Sequence, residues 1–302
     1  MSMDFEKEVA GVAALVPEGY DLARETQPLA AACLELVDRR YGPASDHPLR
    51  YHNAHHSLDV TRRAVELAVI LRPYMRAEYQ HQVFDLAMIA AASHDYAQDA
   101  TSGENERNSA RFAVEAVEQE DGELSRGDFT RRLKQAILAT TAPMNEDGEI
   151  VQSNLQTGSH DPIKFNLAFS DINGIAMEGS QRMILDATNL YLEIIDGSGE
   201  TFSVDGLYNF YLSQADFLRQ RLNDGRVKAD IAYYFADCIN EVYGDMRDHF
   251  NENIKSAYAL ARYIKDHPEL KSLIGVATKS ADMSRVGRMI GEAITRRLAT
   301  TT

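Results

Sequence analysis

The sequence predicts an all-α protein, a single multi-helix bundle, and three observations carry that expectation. Apolar residues recur at helical spacing along the whole of the 302-residue chain. Alternating β-branched runs bounded by turn residues are nearly absent. The breaks between periodic stretches carry the residues that end and start helices. No internal repeat or low-complexity segment points to a solenoid.

Taken in order, the first expected helix, about 27–40, is closed by Gly42-Pro43. The next, 56–72, carries Val60, Ala64, Leu67 and Leu71 as an inward stripe, and 78–93 buries Phe84, Ala87, Met88 and Ala91. Thr101-Ser102-Gly103 forms a polar turn ahead of 105–119, which is followed by 128–141. Pro143 to His160 is the longest candidate loop, rich in Asn, Asp, Gly and Ser and containing Asn145-Glu146-Asp147-Gly148; it reads as a lid or a solvated insertion. Asp161-Pro162 supplies an N-cap and a proline at the first helical position of 162–177. After 180–196, Gly197-Ser198-Gly199 breaks the chain and Ser203 caps 204–222. Helices over 226–246, 250–265 and 280–299 complete the series, the last amphipathic from Ser284 to Leu298 and packed on the domain or on a second copy of the chain, as in a homodimer.

No composition break divides the chain, so residues 1–302 are expected to form one domain with a motif-bearing core over about 45–225 and C-terminal helices over 226–299 packed on it. A formal net charge of −15 repels phosphate backbones and lipid headgroups, which argues against nucleic-acid and membrane partners. It leaves room for a small anionic substrate, because a metal centre can invert the local potential. Cys33 and Cys238 lie far apart in helix-like segments, so they are expected to be reduced and buried. The acidic N-terminus and the lack of a long apolar run make the cytoplasm the expected location.

The chemistry-bearing residues are Tyr51-His52-Asn53-Ala54-His55-His56-Ser57-Leu58-Asp59-Val60, then His94-Asp95, then Asp171 in an apolar run. His56 continues the stripe of Val60 and Ala64, and His52 sits one turn before it. His94 and Asp95 fall at the C-terminal end of the third helix, and Asp171 lies three to four residues beyond Leu167 and Ala168. Imidazoles and carboxylates on buried faces must pair with one another, with water or with a cation. One cation satisfies all four, and two His with two carboxylates suit zinc or iron. The competing reading makes His94-Asp95 a helix terminus, His56 a core histidine and Asp171 a partner of backbone. Gln214 is a second anomaly, an amide on the apolar stripe of Leu207, Phe210, Tyr211, Phe217 and Leu218.

This order of motifs resembles the HD-domain metal-dependent phosphohydrolases, and within them it is most similar to the catalytic domain of the cyclic nucleotide phosphodiesterases. Tyr51 to Val60 stands where that family carries YHNxxHxxDV. The resemblance implies His52 as the proton donor and His56, His94, Asp95 and Asp171 as metal ligands, with Asp95 bridging. It implies two divalent cations, Zn2+ or Fe2+ in the first site and Mg2+ or Mn2+ in the second. Ile137-Leu138-Ala139-Thr140-Thr141 resembles the ILAT segment, whose Thr, here Thr140, stands near the waters of the second metal. Ser213-Gln214-Ala215-Asp216-Phe217 is similar to SQxxF, in which Gln214 would bond a purine and Phe217 stack on it. Tyr51, Asn53, Asp59 and Gln98 are expected to contact the ligands from behind. Gln98 stands where the phosphodiesterases have a second His, with Glu106 or Asp99 as substitutes for its contact. Gly103-Glu104-Asn105-Glu106-Arg107-Asn108-Ser109-Ala110 resembles the NExxSA run of small bacterial HD phosphohydrolases.

The expected activity is therefore hydrolysis of a 3',5'-cyclic purine nucleotide, cAMP or cGMP, to the 5'-monophosphate, by a metal-bound hydroxide with a histidine as general acid. One alternative keeps the metal and changes the substrate to a nucleotide monoester or pyrophosphate. Another is a module that binds a nucleotide or a partner helix without turnover.

Overall fold

The structure is a computed structural model that describes residues 3–125, 127–142, 161–172, 178, 180–200, 203–223, 229, 233–234 and 246–267. The described residues form ten α-helices and two short 3-10 segments, with no strand among them, so the protein is all-α as the periodicity requires. The helices are α1 (Phe5–Ala13), α2 (Thr26–Tyr41), α3 (Ala54–Leu71), α4 (Val83–Ser93), α5 (Glu104–Gln119), α6 (Phe129–Leu138), α7 (Pro162–Ile172), α8 (Ser180–Ser198), α9 (Val204–Asn223) and α10 (Met246–Asp266). The loop over 143–160, Cys238 and the helix expected over 280–299 lie outside the described residues, as does most of 226–246.

The helical periodicity predicts its first helix at about 27–40, yet α1 precedes it. Its signal is short but regular: Phe5, Val9 and Val12 are buried at helical spacing, and the Asp4 carboxylate caps the start by accepting from the Lys7 N–H at 3.2 Å. Helix α2 buries Leu29, Cys33, Leu34 and Val37 and stops at Gly42, whose N–H still reaches Asp38 O at 2.7 Å. Cys33 is a free thiol 2 % exposed, and burial pushes its pKa up to about 12, which makes it an inert core residue.

Packing groups the chain into two compact units, Met1–Gly174 with Gly225–Val242 and Ile175–Asp224 with Tyr243–Thr302. In the first, α4 is the central helix: all eleven of its residues are buried, and it packs against α2, α3, α5, α6 and α7. A helix apolar on every side has no face for water and belongs inside a bundle. Each large side chain it carries, such as Phe84 at 0 % exposure, contributes roughly 1.5–3 kcal/mol by burial. The second unit has its own core, built by α8, α9 and α10 from Met183, Ile184, Leu192, Tyr211, Leu218 and Ala257.

One acid inside α4 is structural. Asp85, 1 % exposed, accepts from the Ala23 N–H and the Tyr20 hydroxyl, each at 2.9 Å, and from the Thr26 hydroxyl. Burial pushes its carboxyl above the usual range while these donors pull it down. The contacts staple the segment before α2 onto the central helix. We expect Asp85→Ala to lower the unfolding free energy by about 2–3 kcal/mol, since it strands buried donors. A urea titration that leaves the midpoint unmoved would show the staple to be unimportant.

Candidate metal centre

The first motif is a helix start. Asn53 has extended backbone, and its side-chain oxygen accepts from the N–H groups of His55 at 2.9 Å and His56 at 3.4 Å. Its amide nitrogen donates to the carbonyls of Leu49 and Arg50 at 3.1 and 3.0 Å, so one side chain caps α3 and anchors the chain entering it. With that start fixed, His56 faces the core at 3 % exposure and His55 faces solvent. The buried Tyr51 ring lies 4.4 Å from the His56 ring and 4.8 Å from that of His52. His52 is half-buried with its ring centre 5.8 Å from that of His56.

The second motif ends the central helix. His94 Nδ1 donates to Ala91 O at 2.7 Å, which leaves Nε2 of the neutral ring as the lone-pair nitrogen. Asp95, 6 % exposed, follows directly and turns Oδ2 toward both rings, 3.2 Å from His94 Nε2 and 3.4 Å from His56 Nε2. The third piece, Asp171, arrives from α7 with Oδ1 3.2 Å from His56 Nε2 and 3.5 Å from His94 Nε2. Its carboxylate is the more open of the two, 17 % exposed against 8 %.

Two links hold α7 in register with α3. The buried Arg63 donates from Nε to Ser170 O at 2.9 Å, and the Asn166 amide donates to Ala64 O at 3.0 Å. Neither residue was a candidate in the sequence, although Arg63 stands on the same stripe as His56 and Val60. A guanidinium on a core-facing stripe was the available signal. Asp161 starts α7 as expected, accepting from the N–H groups of Ile163 and Lys164 at 3.1 and 3.4 Å.

The chemistry of these atoms fits a divalent cation. His94 Nε2 and Asp95 Oδ2 are fully buried without a hydrogen-bond partner, although they approach each other closely. His56 Nε2 and Asp171 Oδ1 are within hydrogen-bond reach at 3.2 Å, so the two unpartnered atoms sit beside a bonded pair, and all four crowd one point as ligands of a common ion do. His56, His94 and Asp95 are, among the described residues, the group of three whose ligand atoms lie within 4.8 Å of one another, and Asp171 adds an oxygen to the same two imidazoles. Two nitrogens and two oxygens suit zinc, iron or manganese. Burial by itself pushes the His94 pKa down, but the adjacent carboxylates of Asp95 and Asp171 raise it well above the usual histidine range. Both carboxyls sit below their usual range: burial works against this, and the His94 charge overcomes it. A cation would supply the positive charge that a proton on His94 otherwise provides.

Of the remaining candidates, Gln98 reaches a candidate ligand and the others make different contacts. Gln98 donates its amide to Asp95 Oδ1 at 2.7 Å. Glu106 instead accepts from the Gly103 N–H at the start of α5, and Asp99 accepts from Arg40 and from the Tyr41 hydroxyl. The Asn105 and Ser109 side chains accept from the N–H groups of Ala100 and Ala97, so the run similar to NExxSA closes the loop after Asp95. Asp59 pairs with Arg62 of its own helix at 3.8 Å. The Thr140 hydroxyl donates to Ile137 O at 2.8 Å. Gln214, 8 % exposed, and Phe217, packed on the apolar core of α8 to α10, belong to the second unit.

The α3 to α7 links generate a prediction. Arg63→Met should lower stability by about 2–4 kcal/mol and weaken zinc binding, because a buried carbonyl loses its donor and Asp171 loses its register. Asn53→Ala should cost about 1 kcal/mol, the usual loss of an N-cap. Zinc titration against a chromogenic chelator and chemical denaturation check both, and unchanged zinc affinity in Arg63→Met would refute the latch. Comparison with protein-family models, curated proteins and solved structures gave no match to this chain.

Proposed function

We propose that this chain is a metal-dependent phosphoester hydrolase of the HD type, acting on the phosphodiester of a cyclic purine nucleotide. The observation that carries the reading is the buried convergence of His56 Nε2, His94 Nε2, Asp95 Oδ2 and Asp171 Oδ1, with two of these atoms lacking any hydrogen-bond partner. His56, His94, Asp95 and Asp171 would hold the cation. A bound divalent cation supplies charge neutralisation at phosphorus and lowers the pKa of a water toward neutrality.

The chain's own residues supply the rest. His52 is half-buried beside the cluster with its ring centre 5.8 Å from that of His56, close enough to the candidate centre to protonate a departing alkoxide there. Tyr51 packs against both the His52 and His56 rings. The Asn53 cap holds both at the start of one helix. No helix among the described residues is long and apolar enough to cross a membrane.

Turnover of cyclic purine nucleotides, linear diesters and monoesters after chelation and reloading with Zn2+, Mn2+ or Mg2+ tests the reading. We expect chelation and Asp171→Ala to abolish activity. His52→Ala should lower kcat by about 100-fold or more on cyclic nucleotides and far less on p-nitrophenyl esters, whose leaving group needs no proton. Protein that binds no divalent ion and turns over none of these substrates would end the hydrolase reading.

A further inference from the structure

The two oxygens of Asp95 have different surroundings. Oδ2 faces both histidines and has no hydrogen-bond partner. Oδ1 is turned away and accepts the Gln98 amide at 2.7 Å. Gln98 is itself held: its backbone N–H donates to the Tyr41 hydroxyl at 2.8 Å and to Asp99 Oδ1 at 3.2 Å. The Tyr41 hydroxyl donates to Asp99 Oδ1 at 2.7 Å, and Arg40 grips the same carboxylate at 2.8 and 3.0 Å. A side-chain network rooted at the end of α2 thus aims one amide at one oxygen of the candidate centre.

We infer that Gln98 is a positioning residue that locks Asp95 as a one-oxygen ligand and makes the centre a one-ion site. The inference deepens the metal-dependent reading above and rests on it. For Asp95 to bridge two cations, Oδ1 would have to bind the second. That cation would meet the positive face of an amide N–H as well as the charge of the first ion. Among the described residues, one group of three close His, Cys, Asp or Glu ligands is present, and it is the group already used. The amide also fixes the rotation of the Asp95 carboxylate, so Oδ2 is presented to the cation without a search for orientation.

The test uses the full chain, stripped with a chelator and reloaded with Zn2+ or Co2+. Elemental analysis of the wild type should give one ion per chain at saturation. Gln98→Leu, which removes the donor and keeps the bulk, should weaken Zn2+ affinity about 10- to 100-fold and shift the visible bands of the Co2+ protein, while leaving the melting temperature of the metal-free protein unchanged. Tyr41→Phe, which removes the hydroxyl that aims Gln98, should move affinity and spectrum in the same direction by less, and it keeps the test available if Gln98→Leu fails to fold. Two ions per wild-type chain, or unaltered Zn2+ affinity and Co2+ spectrum in the folded variants, would overturn the lock and leave the hydrolase standing. A wild type that takes up no ion at all would overturn both.

Discussion

Two imidazole nitrogens and two carboxylate oxygens meet at the end of a helix that is buried on every side, and the arrangement of the first unit follows from that constraint. An apolar helix can sit in the middle of a bundle only if its polar ends are satisfied there or carried out to solvent. Here the end of α4 stays inside, with His94 at 2 % and Asp95 at 6 % exposure, so partners must come to it from other helices. α3 brings His56 at its start and α7 brings Asp171 at its end. Each contributes a side chain that the apolar packing alone would reject.

Such a cluster is rigid because the elements behind it are fixed by other means. The Asn53 cap sets where α3 begins, Arg63 and Asn166 set the register of α7 against α3, and Gln98, with Tyr41 and Asp99 behind it, sets the turn after Asp95. Each of these bonds involves a buried or half-buried polar group whose loss costs more than its formation contributes. The Asn53 cap serves orphan N–H groups at a helix start, whereas Arg63 and Asn166 tie the bodies of α3 and α7 together and Gln98 bonds a ligand side chain directly.

The candidate ligands were legible in the sequence because each falls on a helical face that periodicity defines. His56 follows from the spacing of Val60 and Ala64, His94 and Asp95 from the apolar run of α4, and Asp171 from Leu167 and Ala168; the structure brings all four side chains together. α1 escaped because three large apolar residues, Phe5, Val9 and Val12, in a nine-residue stretch are too few to stand out. Arg63 and Asn166 escaped because a polar residue on an inward stripe announces that it has a partner without saying which. Gln98 stood out in the sequence as a residue in place of a histidine, and its bond to Asp95 depends on how the chain turns after α4.

The sequence by itself determined the all-α class, most helix positions and the faces on which the chemistry lies, since these depend on local spacing and capping. Only the tertiary structure decided that His56, His94, Asp95 and Asp171 share one point, that Asp95 divides its oxygens between histidines and an amide, and that the chain packs as two units. The physical reason is range. Helical periodicity acts over a few residues, whereas the bond between His56 and Asp171 spans 115 positions and exists only once α3 and α7 have docked.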